Sequence, residues 1–326
     1  DNSEALMELS YAHNSLGSLS MTLQEFSKAR QGFEESLRLK LIALAESPDD
    51  PQLLADVADT RSWLASAASA EGDIQVAIAI HRQIAEELKR HAQREPYQLY
   101  RLSGNLEILA QLYRAVQQPE LARDSAMEAS RAIAAALEAD PENERWRMQQ
   151  SFVEVLLVSL LPTSTEKTAM LNTLSGHLAS KPSSETSTKQ LKLEARFWLA
   201  AANERLEQGD YQQAQKLALL AEAFFTTLGQ KTVLGTVDMG ALAEAGLVIA
   251  YSVSMLNNDI SFAYTHCQKV SRSLQPWVTV NSDARILAPY AMALDCIDDQ
   301  QELLKMKAKF EPLGYRFRQF KYPLKN

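Results

Sequence analysis

The residue types that most often carry chemistry are few in this chain and stand apart from one another. The five histidines are His13, His81, His91, His177 and His266. None of them stands four residues from another with a glutamate between them, which is the spacing that places two zinc ligands and a base on one helix face. His266 and Cys267 are adjacent, so their side chains point to different faces of a helix. We therefore predict no metal site and no cofactor.

The two cysteines, Cys267 and Cys296, are far apart in sequence, and neither lies in a redox motif. They are either free thiols in the core or the two halves of one disulfide. We predict free, buried thiols, because cysteine is among the most buried residue types. This reading leaves the cellular compartment open.

Other catalytic patterns are also missing from the sequence. The 11 glycines form no phosphate-binding loop, and no serine stands in a Gly-x-Ser-x-Gly elbow. Paired carboxylates such as Glu34-Glu35 and Glu86-Glu87 lie in helix-forming stretches, where alternating charge normally faces water. We predict that the chain is not an enzyme.

Composition favours a helical protein with a protein or peptide as its partner. Hydrophobic residues make up 46% of the 326, Gly and Pro contribute 11 each, and the net charge is −8. An acidic chain is a poor nucleic-acid binder, because phosphate contacts need clustered Lys and Arg. The basic stretch from Lys305 to Lys325 is either a contact for an anionic surface or, as we prefer, a solvated helix face. The longest apolar run, Val153 to Leu161, is too short to cross a bilayer, so we predict no membrane insertion.

A repeat with a period of 45 to 49 residues runs through the chain. Its clearest marker is an alanine within each of six helical patterns, at Ala29, Ala77, Ala122, Ala169, Ala214 and Ala263. A second marker is a turn of the type Gly72-Asp73-Ile74, which returns as Gly209-Asp210-Tyr211 and as Asn258-Asp259-Ile260. Pro51, Pro96 and Pro141 repeat the period independently, 45 residues apart. A period of this length indicates a solenoid of stacked helix pairs.

These markers resemble the tetratricopeptide repeat, in which small residues lie where two antiparallel helices cross. The resemblance implies an all-α fold, a right-handed superhelix of tetratricopeptide-like antiparallel helix pairs. The usual period is about 34 residues, and the surplus here predicts a longer second helix. The ending Leu313-Gly314-Tyr315-Arg316 further resembles long-period segments attached to bacterial winged-helix regulators and Ser/Thr kinases.

The repeats suggest three segments. Residues 1–178 hold about four repeats, the fourth degenerate; residues 179–189 form a Ser/Thr-rich loop; residues 190–326 hold further repeats and a capping helix pair. Because the chain enters helix at once, without a signal region, we expect a segment of a longer protein.

The resemblance also implies that the first helix of each pair lines the concave surface. The residues placed there by register are Asn14, Ser15, Ser18, Asp59, Trp63, Ser66, Glu107, Gln111, Arg114 and Asn203. Asn14 stands one place before the position at which family members place the Asn of a carboxylate clamp, so we do not expect that clamp. Trp63 is either an aromatic anchor for a ligand or a packing residue. Arg114 and Glu107 are read as an intrahelical pair.

We therefore expect a non-catalytic module that binds or senses proteins or peptides within a larger bacterial regulatory protein. One alternative is a segment that dimerises its parent chain, and another is a small-molecule sensor with a pocket near residues 162–190. Either the cytoplasm or the periplasm is compatible with the sequence. We favour the periplasmic side of a membrane-tethered parent.

Overall fold

The structure is a computed structural model that describes residues 2–92, 95–162, 164–176, 178, 181–183, 185–257 and 259–313. Asn258, His177 and the ending predicted at residues 314–316 lie outside the described residues, as do the basic residues that follow. Regular secondary structure in these ranges is entirely helical. The helices are α1 (Asn2–Thr22), α2 (Phe26–Glu46), α3 (Pro51–Glu71), α4 (Ile74–Ala92), α5 (Pro96–Ala115), α6 (Pro119–Ala139), α7 (Glu144–Leu160), α8 (Thr165–Ser175), α9 (Thr188–Glu207), α10 (Tyr211–Lys231), α11 (Thr236–Asn257), α12 (Ile260–Val278), α13 (Ala284–Cys296) and α14 (Gln300–Leu313).

Apart from the short α8, helices pack in the order of the sequence against their neighbours along the chain, and α7 contacts α9 directly. In addition, the first helix of each pair contacts the first helix of the next, from α5 to α7, α9, α11 and α13 in turn. This arrangement confirms the predicted all-α solenoid of tetratricopeptide-like pairs. The division of the chain at residues 179–189 stays a prediction.

The turns within pairs use left-handed backbone at the position that the repeat predicts. Gly72 has φ 99° and Gly209 has φ 76°. Three non-glycine residues, Gln24, Gln117 and Asp298, occupy the equivalent place with φ between 57° and 59°. Because a left-handed conformation is unfavourable for residues with a Cβ atom, the turn geometry is imposed by the packing of the two helices.

The repeated alanines lie in the core, with one exception. Ala29, Ala77, Ala122, Ala214 and Ala263 are 0–1% exposed, whereas Ala169 is exposed, so its predicted core position is wrong. The helix that carries it, α8, has only 11 residues. Its buried side chains are Leu171 and Lys167, and Nζ of Lys167 lies 2.7 Å from Oε2 of Glu204 in α9. Lys167 takes the inward face of the short helix and leaves Ala169 in solvent.

The prediction of free thiols is wrong, because Cys267 of α12 and Cys296 of α13 form a disulfide. Packing of these two helices brings the Cα atoms to 6.1 Å, within the range that a disulfide spans. Both residues are buried. Sequence separation gave no sign of this approach, since the two cysteines are 29 positions apart along the chain.

Helix α11 is the most apolar helix of the described chain. By length and composition alone, α11 could also cross a membrane. This is weak evidence for a membrane span, because the core helices of soluble proteins meet the same criteria. Here it contacts α9, α10, α12 and α13, and Leu247 and Ile249 have no exposed surface. A Cβ atom on Gly240 would lie 2.0 Å from the carbonyl oxygen of Arg285, so only glycine allows α11 to approach the start of α13.

Candidate functional site

Side chains of successive first helices are hydrogen-bonded to one another at the spacing of the repeat. Pairs 41 to 45 residues apart join α1 to α3, α5 to α7 and α9 to α11. They are Tyr11 with Asp56, Tyr100 with Arg145, Glu107 with Gln149, and Asn203 with Glu244. The ion pair of Arg101 with Asp59 joins α3 to α5, and α7 packs against α9, so the first helices form one continuous wall.

A cleft of about 230 Å³ opens on this wall between α3, α5 and α7. Asp59 and Ser62 of α3 line one side, and Tyr97, Tyr100, Arg101 and Gly104 of α5 line the floor. Arg101 donates a hydrogen bond of 2.5 Å to Oδ1 of Asp59, which neutralises the predicted site residue. A Cβ atom on Gly104 would have only one neighbour within 4 Å, the Gln149 amide nitrogen at 3.9 Å. Gly104 thus keeps the floor of the cleft open.

Aromatic rings dominate one end of the cleft. The rings of Tyr97 and Tyr100 stack with centroids 5.9 Å apart, and Tyr100 stacks in turn on Trp146 at 6.5 Å. The Arg145 guanidinium lies 4.8 Å from the Tyr100 centroid and donates a 2.8 Å hydrogen bond to the phenol oxygen. That hydrogen bond raises the pKa of Arg145, which keeps its charge. No carboxylate of the described residues forms an ion pair with Arg145, so its charge is free to meet a ligand.

The structure shows Trp63 in a packing contact, and its role as an aromatic anchor for a ligand stays a prediction. Its ring stacks on Phe33 of α2 with centroids 6.1 Å apart, so one face packs against the preceding repeat. The residue is nevertheless 47% exposed. A side chain with one supported and one open face is pre-organised for contact with a partner.

The smaller predicted residues of α1 and α3 are partly occupied within their own helices. Ser15 donates to the Tyr11 carbonyl, and Ser66 donates to the Ser62 carbonyl. Ser18 is half-buried. Oδ1 of Asn14 is buried without a hydrogen-bond partner among the described residues. These hydroxyls retain acceptor capacity for a ligand but give it no charge.

The remaining predicted residues meet further along the wall in a buried polar cluster. Glu107 accepts hydrogen bonds of 2.9 Å from Gln111 and from Gln149, and its Oε1 lies 3.5 Å from the Arg196 guanidinium of α9. Both Glu107 and Gln111 are buried. The contact between Glu107 and Arg196 joins repeats that are two apart, so the wall is strongly curved here. The expected intrahelical pair of Arg114 and Glu107 is replaced by these contacts.

The curvature brings the end of α3 against the start of α13. Ser69 Oγ donates a 2.6 Å hydrogen bond to Oδ2 of Asp283, and the Ser282 amide donates to the Ala70 carbonyl at 2.7 Å. Burial alone would raise the pKa of the Asp283 carboxyl, but Arg285 and the Ser69 hydroxyl together hold it below its ordinary value. Residues 214 positions apart thus close the inner wall on itself from α3 to α13.

Arg114 lines the closed part of the wall. Its side chain is exposed, and its described polar contact is a 3.3 Å hydrogen bond to Ser159. Yet desolvation by the surrounding protein lowers its pKa, Arg196 and Arg285 lower it further, and Glu244 opposes them. Exposure and desolvation coexist where a side chain lines a narrow, enclosed interior.

No protein-family model and no curated protein matches the chain. Three solved structures are similar to the chain at low identity. BtubC from P. vanneervenii is 15% identical, with 77% of this chain and 91% of BtubC covered and a TM-score of 0.44. Yeast Tom70 is 12% identical, with 88% of this chain and 55% of Tom70 covered and a TM-score of 0.43. The TPR2AB domain of yeast Sti1 in its pHSP90 complex is 13% identical, with 94% and 91% covered and a TM-score of 0.25.

The chain therefore spans about half the length of Tom70. Scores this low carry no argument about function. The assignment of a tetratricopeptide-like fold rests on the chain's own repeat, its paired helices and its turns.

The register analysis missed the residues that shape the cleft on α5 and α7. Tyr97, Arg101, Gly104 and Ile108 follow one another at intervals of four, three and four, the spacing of a single helix face. A tyrosine, an arginine, a glycine and an isoleucine on one face of a predicted first helix were the signal for the cleft. Arg145 joins it from the next repeat, 45 residues after Tyr100.

Proposed function

We propose that this tetratricopeptide-like solenoid binds an extended segment of another protein, without catalysis, along the wall formed by α1, α3, α5 and α7. The observation that supports this most strongly is the open cleft beside Tyr97 and Tyr100, with Trp63 exposed one repeat earlier. Aromatic side chains exposed on a rigid polar wall are the usual anchors of protein interfaces.

The cleft fits a particular ligand chemistry. Its apolar floor of tyrosine rings and Ile108 suits an aliphatic or aromatic side chain, whose enclosure contributes about 1.5–3 kcal/mol. Arg145, held over Tyr100 without a carboxylate partner among the described residues, suits an acidic group on the same ligand. We therefore propose a peptide with one large apolar residue close to an Asp, a Glu or a chain terminus.

We place the peptide on α1, α3, α5 and the start of α7, away from the buried polar cluster around Glu107. Glu107 and Gln111 are buried and bind each other, so a ligand would have to break their hydrogen bonds. Asn14, Ser15, Ser18, Asp59, Trp63 and Ser66 lie on the helices nearer the open end, α1 and α3. They would contact the remainder of the extended segment.

The disulfide supports a place for the module in an oxidising compartment, since disulfides are rare in reducing cytosol. This favours the periplasmic side over the cytoplasmic side. We further propose that the module belongs to a larger regulatory protein, as its resemblance to long-period segments of bacterial regulators suggests. Alkylation of the protein isolated from its native cells tests the compartment: blocked thiols on Cys267 and Cys296 support it, and reactive thiols contradict it.

Selection of binding peptides from a random displayed library tests the groove directly. Peptides selected on the wild-type chain should share an apolar residue near an acidic one. Replacement of Gly104 by Leu fills the cleft where a side chain has room, so it should weaken those peptides by about 10-fold or more while the fold is kept.

Two further variants make the result specific. Gly104→Ala adds only a methyl group and should bind nearly as the wild type does. Arg145→Glu should reject acidic peptides but retain neutral ones. If selected peptides bind equally to the wild type, to Gly104→Leu and to Arg145→Glu, the cleft is not the binding site.

A further inference from the structure

The outer face of α1, together with Leu23 in the turn that follows the helix, carries an apolar stripe at coiled-coil spacing. Its members are Ala5, Leu9, Ala12, Leu16, Leu19 and Leu23, separated alternately by four and three residues. All six are exposed, and the four leucines are 49–61% exposed. An uninterrupted four-three alternation over three heptads is typical of a helix that packs against another helix.

The stripe is not used within the chain. Helix α1 packs against α2 through Gly17, where a Cβ atom would lie 2.7 Å from the Phe33 ring. It meets α3 through Tyr11, which hydrogen-bonds to Asp56. These two contacts occupy one side of the helix, and the stripe runs along the opposite side. Three exposed leucines on α1 and a fourth just after its end form a patch that monomeric proteins seldom leave uncovered.

We propose that the stripe binds the same stripe of a second copy, antiparallel, across a two-fold axis beside Asn14. The pattern is symmetric about that position. In this register Ala5 lies opposite Leu23, Leu9 opposite Leu19, and Ala12 opposite Leu16, and each relation holds in both directions as a two-fold axis requires.

Side-chain volume favours this arrangement over its alternatives. Two of the three antiparallel layers place a small residue against a large one, so the helices approach evenly along their length. A parallel pair would stack Ala5 on Ala5 and Ala12 on Ala12, leaving voids between the leucine layers. Antiparallel pairing also aligns the helix dipoles favourably. From Leu9 to Gln24 the helix has no Asp, Glu, Lys or Arg, so no full charge needs to be desolvated along most of the interface.

The proposed interface and the proposed peptide groove share α1, but Trp63 and the cleft lie on other helices, so loss of the dimer and loss of peptide binding at the cleft are distinguishable. Sedimentation over a range of concentrations tests association first. The wild type should form dimers at tens of micromolar. Leu16→Glu should weaken dimerisation at least about 100-fold, because each dimer contains the change twice at adjacent core layers.

A matched control lies at the other end of the solenoid. Leu304 of α14 is 64% exposed, and Leu304→Glu makes the same chemical change outside the proposed interface. It should leave the dimer unchanged. If Leu304→Glu abolishes association, the copies assemble head to tail and the proposal is wrong. A wild type that stays monomeric up to hundreds of micromolar also overturns it.

Cross-linking with a short bis-maleimide tests the antiparallel register, since both native cysteines are in the disulfide. Ser15 flanks the proposed axis, so Ser15→Cys should cross-link to itself. Glu8 and Thr22 lie at opposite ends, so Glu8→Cys should link to Thr22→Cys in a mixture but not to itself. Equal self-linking of Ser15→Cys and Glu8→Cys would mean a parallel pair and would overturn the proposed axis.

Discussion

The contact between α3 and α13 decides whether the inner wall is closed, and Ser69→Ala isolates it. Ser69 is buried, and its hydroxyl donates 2.6 Å to the carboxylate of Asp283. A hydrogen bond to a charged group contributes about 1.5–3 kcal/mol. Arg285 continues to bind the same carboxylate, so the loss is confined to the contact across the ring. Asp283→Ala would be a poorer probe, because it also removes the N-cap of α13.

The matched control is Ser66→Ala, one turn earlier in the same helix. Its hydroxyl is exposed and bonds only within α3. Both substitutions replace serine by alanine within a helix and so gain the same small amount of helix propensity. The difference between their melting temperatures therefore reports the contact between Ser69 and Asp283. For 326 residues the unfolding entropy is about 0.7 kcal/mol/K, from about 2.1 cal/mol/K per residue. Ser69→Ala should therefore melt about 2–4 °C below Ser66→Ala.

Calorimetry or circular dichroism measures the difference, and a double-mutant cycle with Asp283→Asn assigns it. The coupling energy of the pair should be about 1 kcal/mol or more, as for residues in direct contact. Equal melting of Ser69→Ala and Ser66→Ala, or a coupling energy near zero, would refute closure of the wall in solution. The interior polar cluster would then lie in an open groove.

Three further results are expected. Burial lowers the pKa of the His81 imidazole, so the unfolded chain binds a proton at this residue more readily than the folded chain does. The free energy of unfolding should therefore keep its full value above about pH 6.5 and fall as the pH drops below it. His81→Gln should flatten this slope in urea titrations. Gly209→Ala should lower the free energy of unfolding by about 1–2 kcal/mol because of the left-handed backbone alone, since the new Cβ atom would meet nothing within 4 Å. Gln117→Gly should not destabilise the chain. If Gln117→Gly is the more destabilising of the two, the turns lie elsewhere. Ala77→Arg should cost several kcal/mol at a helix crossing, and Ala169→Arg, at the exposed position, almost nothing; equal melting temperatures would contradict the described register.

The sequence predicts which residues lie on the wall, because the register of the repeat alone assigns residues to the first helix of each pair. It placed Trp63 and Asp59 on α3, where the structure has them. It did not separate the open part of the wall from the closed part. Whether a part of the wall is open or closed depends on how far each repeat is rotated relative to the preceding repeat. The total rotation is a sum of small packing angles, and no single residue encodes it.

The sequence by itself determined the fold class and the register of the repeat. A helix crossing requires a small residue, and a tight turn requires a residue that tolerates left-handed backbone. Both requirements are local, so the residue types at fixed intervals reveal them. Tertiary structure alone decided the partners that lie far apart along the chain. The disulfide of Cys267 and Cys296, the contact of Ser69 with Asp283 and the outward turn of Ala169 all arise when curvature and helix length bring distant segments together. Such contacts depend on the accumulated geometry of the intervening helices, which local patterns do not record.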